Sequence, residues 1–214
     1  MNSEGIILGV IIAFELDRNG NDYVVRGTLE LFNRPLIKIT NDLLQSLRLK
    51  DTIIYTNQKG IIFKNILGRK LKYIVRKNSY LYTTNTIYND FKEYLNHVNN
   101  ILIIDPKYPF LDNILVKELI EKHKQCDSDL TYIKGINQYS TLIPNIYIIN
   151  VAYFKEIFQN EYNTKTIEIN NLISKATYDK KRLNFIETYD VHKVLVISNG
   201  KIISSLESLL LNRK

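Results

Sequence analysis

The sequence predicts a three-layer α/β protein, in which a mainly parallel central sheet is covered by helices on both faces. Three observations predict it. Short β-branched runs alternate along the 214 residues with segments of roughly 10 to 15 residues whose apolar positions recur at helical spacing, the order that βαβ units produce. The strand-like runs are continuously apolar, as strands buried on both faces must be. No repeat, low-complexity stretch or linker interrupts the chain, so one domain spanning residues 1–214 is expected.

The elements follow in order. Gly5 to Phe14 reads as a buried strand, and Asp17-Arg18-Asn19-Gly20-Asn21-Asp22 after it is dense turn chemistry. Leu36 to Leu47 places Leu36, Ile39, Leu43, Leu44 and Leu47 on one helical face. Thr52 to Tyr55 and Leu71 to Val75 are short strands. Thr86 to Val98 carries Ile87, Phe91, Tyr94, Leu95 and Val98 at helical spacing, with Thr84 or Asn85 as N-cap. Ile101 to Ile104 is a central strand ending in Asp105-Pro106. Asp112 or Asn113 caps a helix whose buried face is expected to be Ile114, Leu115, Leu119 and Ile120. Strands are expected at Leu130 to Ile133, Ile146 to Ile149 and Lys193 to Ser198, and helices at Val151 to Gln159 and Ser204 to Asn212.

Composition narrows the function classes. The apolar runs are far shorter than the roughly 20 residues that span a bilayer, so no membrane partner is expected. The N-terminus lacks a basic n-region and a small-residue cleavage site, and there is a single cysteine; a reducing cytoplasm is the expected location. The net charge of +7 permits a polyanionic partner, but the lysines are scattered, so nucleic acid is not the expected one. The densest basic cluster, Arg69 to Lys77, alternates with apolar residues and reads as a strand edge.

Several chemistries are absent. Neither G-x-x-x-x-G-K-[ST] nor G-x-G-x-x-G occurs, and no serine sits in a G-x-S-x-G elbow. His97, His123 and His192 stand alone; His97 and His123 fall near helix C-termini and read as surface residues complementing the helix dipole. Cys126 lacks the cationic neighbours that make a thiolate. In a parallel sheet, ligands bind beyond the carboxyl ends of the strands, so the residues following Phe14, Tyr55, Ile104, Ile149 and Ser198 are the ones to inspect.

Those positions carry a resemblance in the order of segments. Phe32-Asn33-Arg34-Pro35-Leu36-Ile37, a helix and Asp51-Thr52-Ile53-Ile54-Tyr55-Thr56 resemble the "GKPLI, helix, DEIIVVT" stretch of sugar and polyol-phosphate nucleotidyltransferases. These are the cytidylyltransferases of the sialic acid, KDO and methylerythritol phosphate type, with a GT-A-like, nucleotide-diphospho-sugar transferase-like fold. Ile101 to Phe110, a helix and Asp129 to Ile133 are similar to that family's "vlihDaarPf, helix, adit" centre, and Pro144 to Ile149 followed by Phe154 to its "nGaiYi, helix" stretch. The likeness covers roughly residues 6 to 160.

The resemblance implies an enzyme that transfers a nucleotidyl group from a nucleoside triphosphate to a sugar or polyol phosphate, in the making of activated sugars or surface polysaccharides. A catalytically inactive relative acting as a binding or regulatory subunit is the alternative. It implies Mg²⁺ as cofactor and leaves a homo-oligomer open. Arg26 falls near the lysine of the family's "PK" motif and Arg34 on the lysine of "GKP"; Asp105 falls on the aspartate after the central strand. The resemblance thus makes Asp105 and Arg26 the catalytic candidates and Asp105 the metal ligand. Ala13, Arg18, Asn19, Arg34 and Thr56 become the nucleotide-binding candidates. On its own residues, Asp105-Pro106 equally suits a strand end and turn, and the two arginines suit an ordinary surface. The chain departs from the family where Phe14 and Glu15 replace phosphate-facing residues and Ile202 replaces a metal-facing aspartate.

Overall fold

A computed structural model describes residues 6–13, 26–47, 49–57, 61–76, 84–159, 168–197 and 200–211. Ten strands and seven helices occur among them: β1 (Ile7–Ala13), β2 (Glu30–Leu31), β3 (Arg34–Pro35), α1 (Leu36–Ser46), β4 (Asp51–Asn57), α2 (Phe63–Leu67), β5 (Lys72–Arg76), α3 (Thr84–Phe91), β6 (Asn100–Ile104), α4 (Asn113–Gln125), β7 (Leu130–Ile136), β8 (Thr141–Leu142), β9 (Ile146–Asn150), α5 (Val151–Gln159), α6 (Ile169–Tyr178), β10 (Leu183–Thr188) and α7 (Gly200–Leu211).

The main sheet runs β10-β7-β9-β6-β1-β4-β5, with β8 paired to β7. β5, β4, β1 and β6 are mutually parallel, as are β7 and β10; β9 enters antiparallel between β6 and β7. The expectation of a mainly parallel sheet holds, and so does the pairing of the two most apolar runs. β1 and β6 are neighbours, with Ile7 opposite Asn100 and Ile11 opposite Ile104.

Strand alternation divides the core in two. Leu8, Val10, Ile53, Tyr55, Ile101 and Ile103 point to the face covered by α3, α5 and α6. Ile7, Ile11, Ile54, Leu102 and Ile104 point to the face covered by α1, α2 and α4. This is the three-layer arrangement. A third, smaller cluster joins Leu31 and Leu36 to Ile197 and Ile203, with Phe110 packed against it. No described helix is long and apolar enough to cross a membrane.

Three expectations need correction. The strand expected over Lys193 to Ser198 is not formed by its described residues, Lys193 to Ile197, and Ser198 lies outside them: Val191–Val194 is a 3-10 turn capped by the Asp190 side chain, and Ile197 N donates to Lys107 O at 2.8 Å. The edge strand is instead β10, whose sequence does not announce it because an exposed residue beside buried Ile186 is Phe185 and the next buried position is Thr188. On α4 the buried stripe is Leu115, Val116, Leu119 and His123, whereas Ile114 is 69% exposed. Steps of 100° per residue place Leu115, Val116, Leu119 and His123 within one 100° arc and leave Ile114 outside it. The helix expected to run to Val98 ends at Phe91, and a separate 3-10 turn covers Leu95–His97.

The basic cluster lies, as expected, on an edge: β5 ends the sheet, Lys72 is ion-paired to Asp51 and Arg76 to Asp90.

Candidate functional site

Parallel pairing brings the carboxyl ends of β4, β1 and β6 to one edge. Ala13 lies opposite Thr56, and β6 ends at Ile104 opposite Ile11, so Asp105 leaves the sheet beside the last turn of β1. The Thr56 hydroxyl donates to the Ala13 carbonyl at 2.7 Å, with Thr56 completely buried. That bond locks β1 to β4 just where residues 14–25 depart. Ala13 and Thr56 are therefore part of the floor of this edge, and the Thr56 hydroxyl is spent on the backbone. Arg18 and Asn19 lie outside the described residues.

Asp105 begins the most elaborate local structure of the edge. Its Oδ1 accepts from Lys107 N at 3.0 Å, an Asx-type turn that Pro106 favours by fixing its own φ. Its Oδ2 is ion-paired to Lys107 Nζ at 2.8 Å, with the two side chains 19% and 24% exposed. The Lys107 ammonium also lies 5.5 Å from the centre of the Tyr108 ring. Tyr108 is buried, and its hydroxyl oxygen accepts from Asn145 N at 3.1 Å. Burial raises the Tyr108 phenol above its ordinary value, the Lys107 charge opposing it only in part. Asn145 in turn accepts from Asp105 N at 3.3 Å through its carbonyl and from Ile169 N at 3.1 Å through Oδ1, tying the start of α6 to the same loop.

The loop ends in a helix cap. Asp112 Oδ1 accepts from Leu115 N at 2.8 Å and its Oδ2 pairs with Lys193 Nζ at 2.7 Å. Burial would raise the Asp112 carboxyl, but the Lys193 ammonium and the α4 backbone N–H groups outweigh it and hold it below its ordinary value.

The hairpin β2–β3 joins this loop through the third core cluster, Leu31, Leu36, Ile197 and Ile203, against which Phe110 packs. Its turn residues Phe32 and Asn33 both have positive φ, 49° and 58°, and Glu207 of α7 accepts from Phe32 N at 2.6 Å. Arg34 is engaged with Asp42 on α1 at 2.9 Å, its side chain 58% exposed, and Lys38 shares that carboxylate. Arg26 opens a 3-10 turn over Arg26–Thr28. Sequence reasoning missed Lys107 and Asn145. An Asp-Pro pair that turns the chain back two residues later is the signal that finds the first; nothing in the sequence marks the second.

His123 is a further correction. Rather than facing solvent, it is 2% exposed, with Nδ1 2.9 Å from Thr131 Oγ1 and Nε2 3.0 Å from Asn100 Oδ1. Burial pushes its pKa down to about 4, against the weaker opposing pull of Asp129 and Asp127. It ties α4 to β6 and β7 as a neutral imidazole. An open groove of about 770 Å³ lies at the amino ends of the strands, lined among others by Ile6, Leu8, Lys50, Asp51, Lys72 and His97. It is on the opposite edge from Asp105, and strand direction favours the Asp105 edge for ligand chemistry.

Known structures decide the fold. The chain superposes on a 4-diphosphocytidyl-2C-methyl-D-erythritol synthase from Anaerococcus prevotii with a TM-score of 0.69, 13% identity and coverage of 97% of this chain and 96% of that one. A nucleotidyl transferase from Methanothermobacter thermautotrophicus matches with a TM-score of 0.74, 13% identity and coverage of 98% and 99%. The chain has the nucleotidyltransferase fold. A Mycobacterium tuberculosis protein crystallised in complex with manganese also shares it, with a TM-score of 0.64, 8% identity and coverage of 85% and 88%. No family model matches the sequence, and no curated protein does.

Within the nucleotidyltransferase fold, the Mg²⁺ implied by the segment resemblance would rest on Asp105. The donor set does not fit a preformed site. Both Asp105 oxygens are engaged by Lys107, and among the described residues no three His, Cys, Asp or Glu side chains converge as metal ligands would.

Proposed function

We propose that this chain binds a nucleoside triphosphate at the carboxyl edge of β4, β1 and β6 and transfers its nucleotidyl group to a sugar or polyol phosphate, as a divergent cytidylyltransferase-like enzyme. The observation that carries the reading is the placement of Ala13, Thr56 and Asp105 on one edge of a parallel sheet within the nucleotidyltransferase fold. In such sheets that edge is where ligands bind.

In this reaction an acceptor phosphate oxygen attacks the α-phosphorus, the bond to the bridging oxygen breaks, and pyrophosphate leaves. There is little covalent work for a protein to do, so catalysis is positioning and neutralisation of charge. Arg26 and Arg34 are the cations assigned to the triphosphate, together with Arg18 and Asn19 in the sequence that follows β1. Ala13 and Thr56 shape the floor, and Asp105 with Lys107 forms the polar group beside it. A cytoplasmic location is part of the proposal, in keeping with the single cysteine.

The test has two arms. A thermal-shift panel of CTP, UTP, GTP and ATP, with and without divalent metal, should raise the stability of the native protein with at least one of them, because a ligand bound only to the folded state stabilises it by mass action. Pyrophosphate release is then followed with a panel of sugar and polyol phosphates. Binding with turnover supports the enzyme. Binding without turnover assigns the chain to the inactive, regulatory alternative, and the absence of binding to any triphosphate refutes the reading.

A further inference from the structure

We propose that the ammonium of Lys107 occupies the place of a divalent cation at Asp105, so that the triphosphate is engaged through Lys107 and its binding needs no metal. The ligand in this inference rests on the nucleotide-binding reading above; the occupancy of Asp105 by Lys107 does not.

Lys107 is held from several sides. Its N–H donates to Asp105 Oδ1 at 3.0 Å, its carbonyl accepts from Ile197 N at 2.8 Å, and its Nζ lies 2.8 Å from Asp105 Oδ2. The side chain runs along the face of Tyr108, which is itself fixed by burial and by Asn145. A side chain pinned at backbone and tip loses little further freedom on meeting a ligand, which favours binding.

The same geometry disfavours a metal. Mg²⁺ takes oxygen ligands in near-ideal octahedral geometry and is usually held by carboxylates. Here the carboxylate that would hold it already carries a positive charge on one oxygen and a backbone N–H on the other. A second cation placed there would sit against the ammonium in a partly buried site, where charges are less screened than at the open surface. Asp112, at the far end of the same loop, is committed to Lys193 and the α4 backbone, and among the described residues no third carboxylate joins Asp105 and Glu168, the two whose charges act on the Tyr108 phenol, in a metal-ligating group. A lysine binds phosphate as a point charge, so Lys107 can supply the neutralisation that a metal would.

The experiment uses the full chain in four forms: wild type, Lys107→Gln, Lys107→Arg and Asp105→Asn. Mn²⁺ alone is titrated and followed by electron paramagnetic resonance. The wild type should bind no stoichiometric Mn²⁺, and Lys107→Gln should gain a site by releasing the carboxylate. Stoichiometric Mn²⁺ in the wild type that disappears in Asp105→Asn, or no gain in a folded Lys107→Gln, overturns the proposal. Triphosphate affinity is measured in parallel in Mg²⁺ and in EDTA. Wild-type affinity should be unchanged by chelation, Lys107→Gln should weaken it by roughly tenfold or more, as loss of a hydrogen bond to a charged group does, and Lys107→Arg should restore most of it. Binding that requires Mg²⁺ overturns the inference and leaves the nucleotide reading standing. Binding of no triphosphate in either condition removes the nucleotide reading, and the Mn²⁺ arm still decides whether Lys107 holds the cation's place.

Discussion

Lowering the pH from 7 to 5 should withdraw about 2 kcal/mol of folding stability through the single side chain of His123. In the unfolded chain its imidazole titrates at its ordinary 6.5, whereas burial between Asn100 and Thr131 lowers the folded value to about 4. Above pH 6.5 the ring is neutral in both states and contributes no pH dependence. Between pH 6.5 and about 4 the unfolded state binds a proton that the folded state refuses, so stability falls as pH falls. The full gap is worth about 3 kcal/mol, at 1.36 kcal/mol per pKa unit, and most of it is spent by pH 5. The window is well separated from Asp112, whose depressed carboxyl affects stability only below its ordinary value of 3.8. His97 and His192 are exposed. The assay is urea unfolding of the wild type and His123→Gln at pH 7 and pH 5. The stability advantage of the wild type should shrink by about 2 kcal/mol on acidification. An advantage that is the same at both pH values, or an NMR titration of His123 near its ordinary value, would refute the argument.

Three further outcomes follow from the same structure. Thr56→Val keeps the shape of a fully buried side chain and strands the Ala13 carbonyl; urea unfolding should register a loss of about 1 to 3 kcal/mol, and a change below about 0.5 kcal/mol would remove the lock at the end of β1. Gly135→Ala would drive a methyl group into Val194 Cγ2, a stiff β-branched neighbour that is 1% exposed. A cost of about 1 to 3 kcal/mol is expected by thermal unfolding, and a neutral result would mean that the 3-10 turn carrying Val194 is free to shift. Asp112→Ala removes the cap of α4 and should cost about 1 kcal/mol, the partly exposed Lys193 pair adding little; equal stability of the two proteins would show that water replaces the cap.

Local chemistry was enough for the elements whose signal lies within a few consecutive residues. The apolar runs of β1 and β6 can be satisfied only by burial on both faces, and parallel central strands are what they became. Asp112 announces the start of α4 because an aspartate before an apolar-periodic run offers its oxygen to the orphan N–H groups of the first turn. The bounds of α5 were readable for the same reason, since its residues follow directly from β9 with an amphipathic spacing. Asp105 at the end of β6 was likewise readable, as a position.

What those residues do there depended on neighbours far along the chain. That β9 enters antiparallel between β6 and β7 is a matter of sheet pairing, to which a strand's own sequence is indifferent. Lys193 to Ile197 reads as apolar enough for a strand, yet the unpaired edge of β7 is taken by β10, and the segment packs across the loop after β6 instead. His123 looked like a surface residue because its helix-terminal position is polar by habit; only the approach of Asn100 and Thr131 supplies the two partners that make its burial affordable. The sequence by itself determined the layers, the strand carrying Asp105 and the helix that follows it. The tertiary structure decided which helix face is buried, which segment closes the sheet, and that the Asp105 loop is braced by Asn145 and Ile197, because each of these rests on contacts between residues distant in sequence, and periodicity reports only on neighbours a turn or a pleat away.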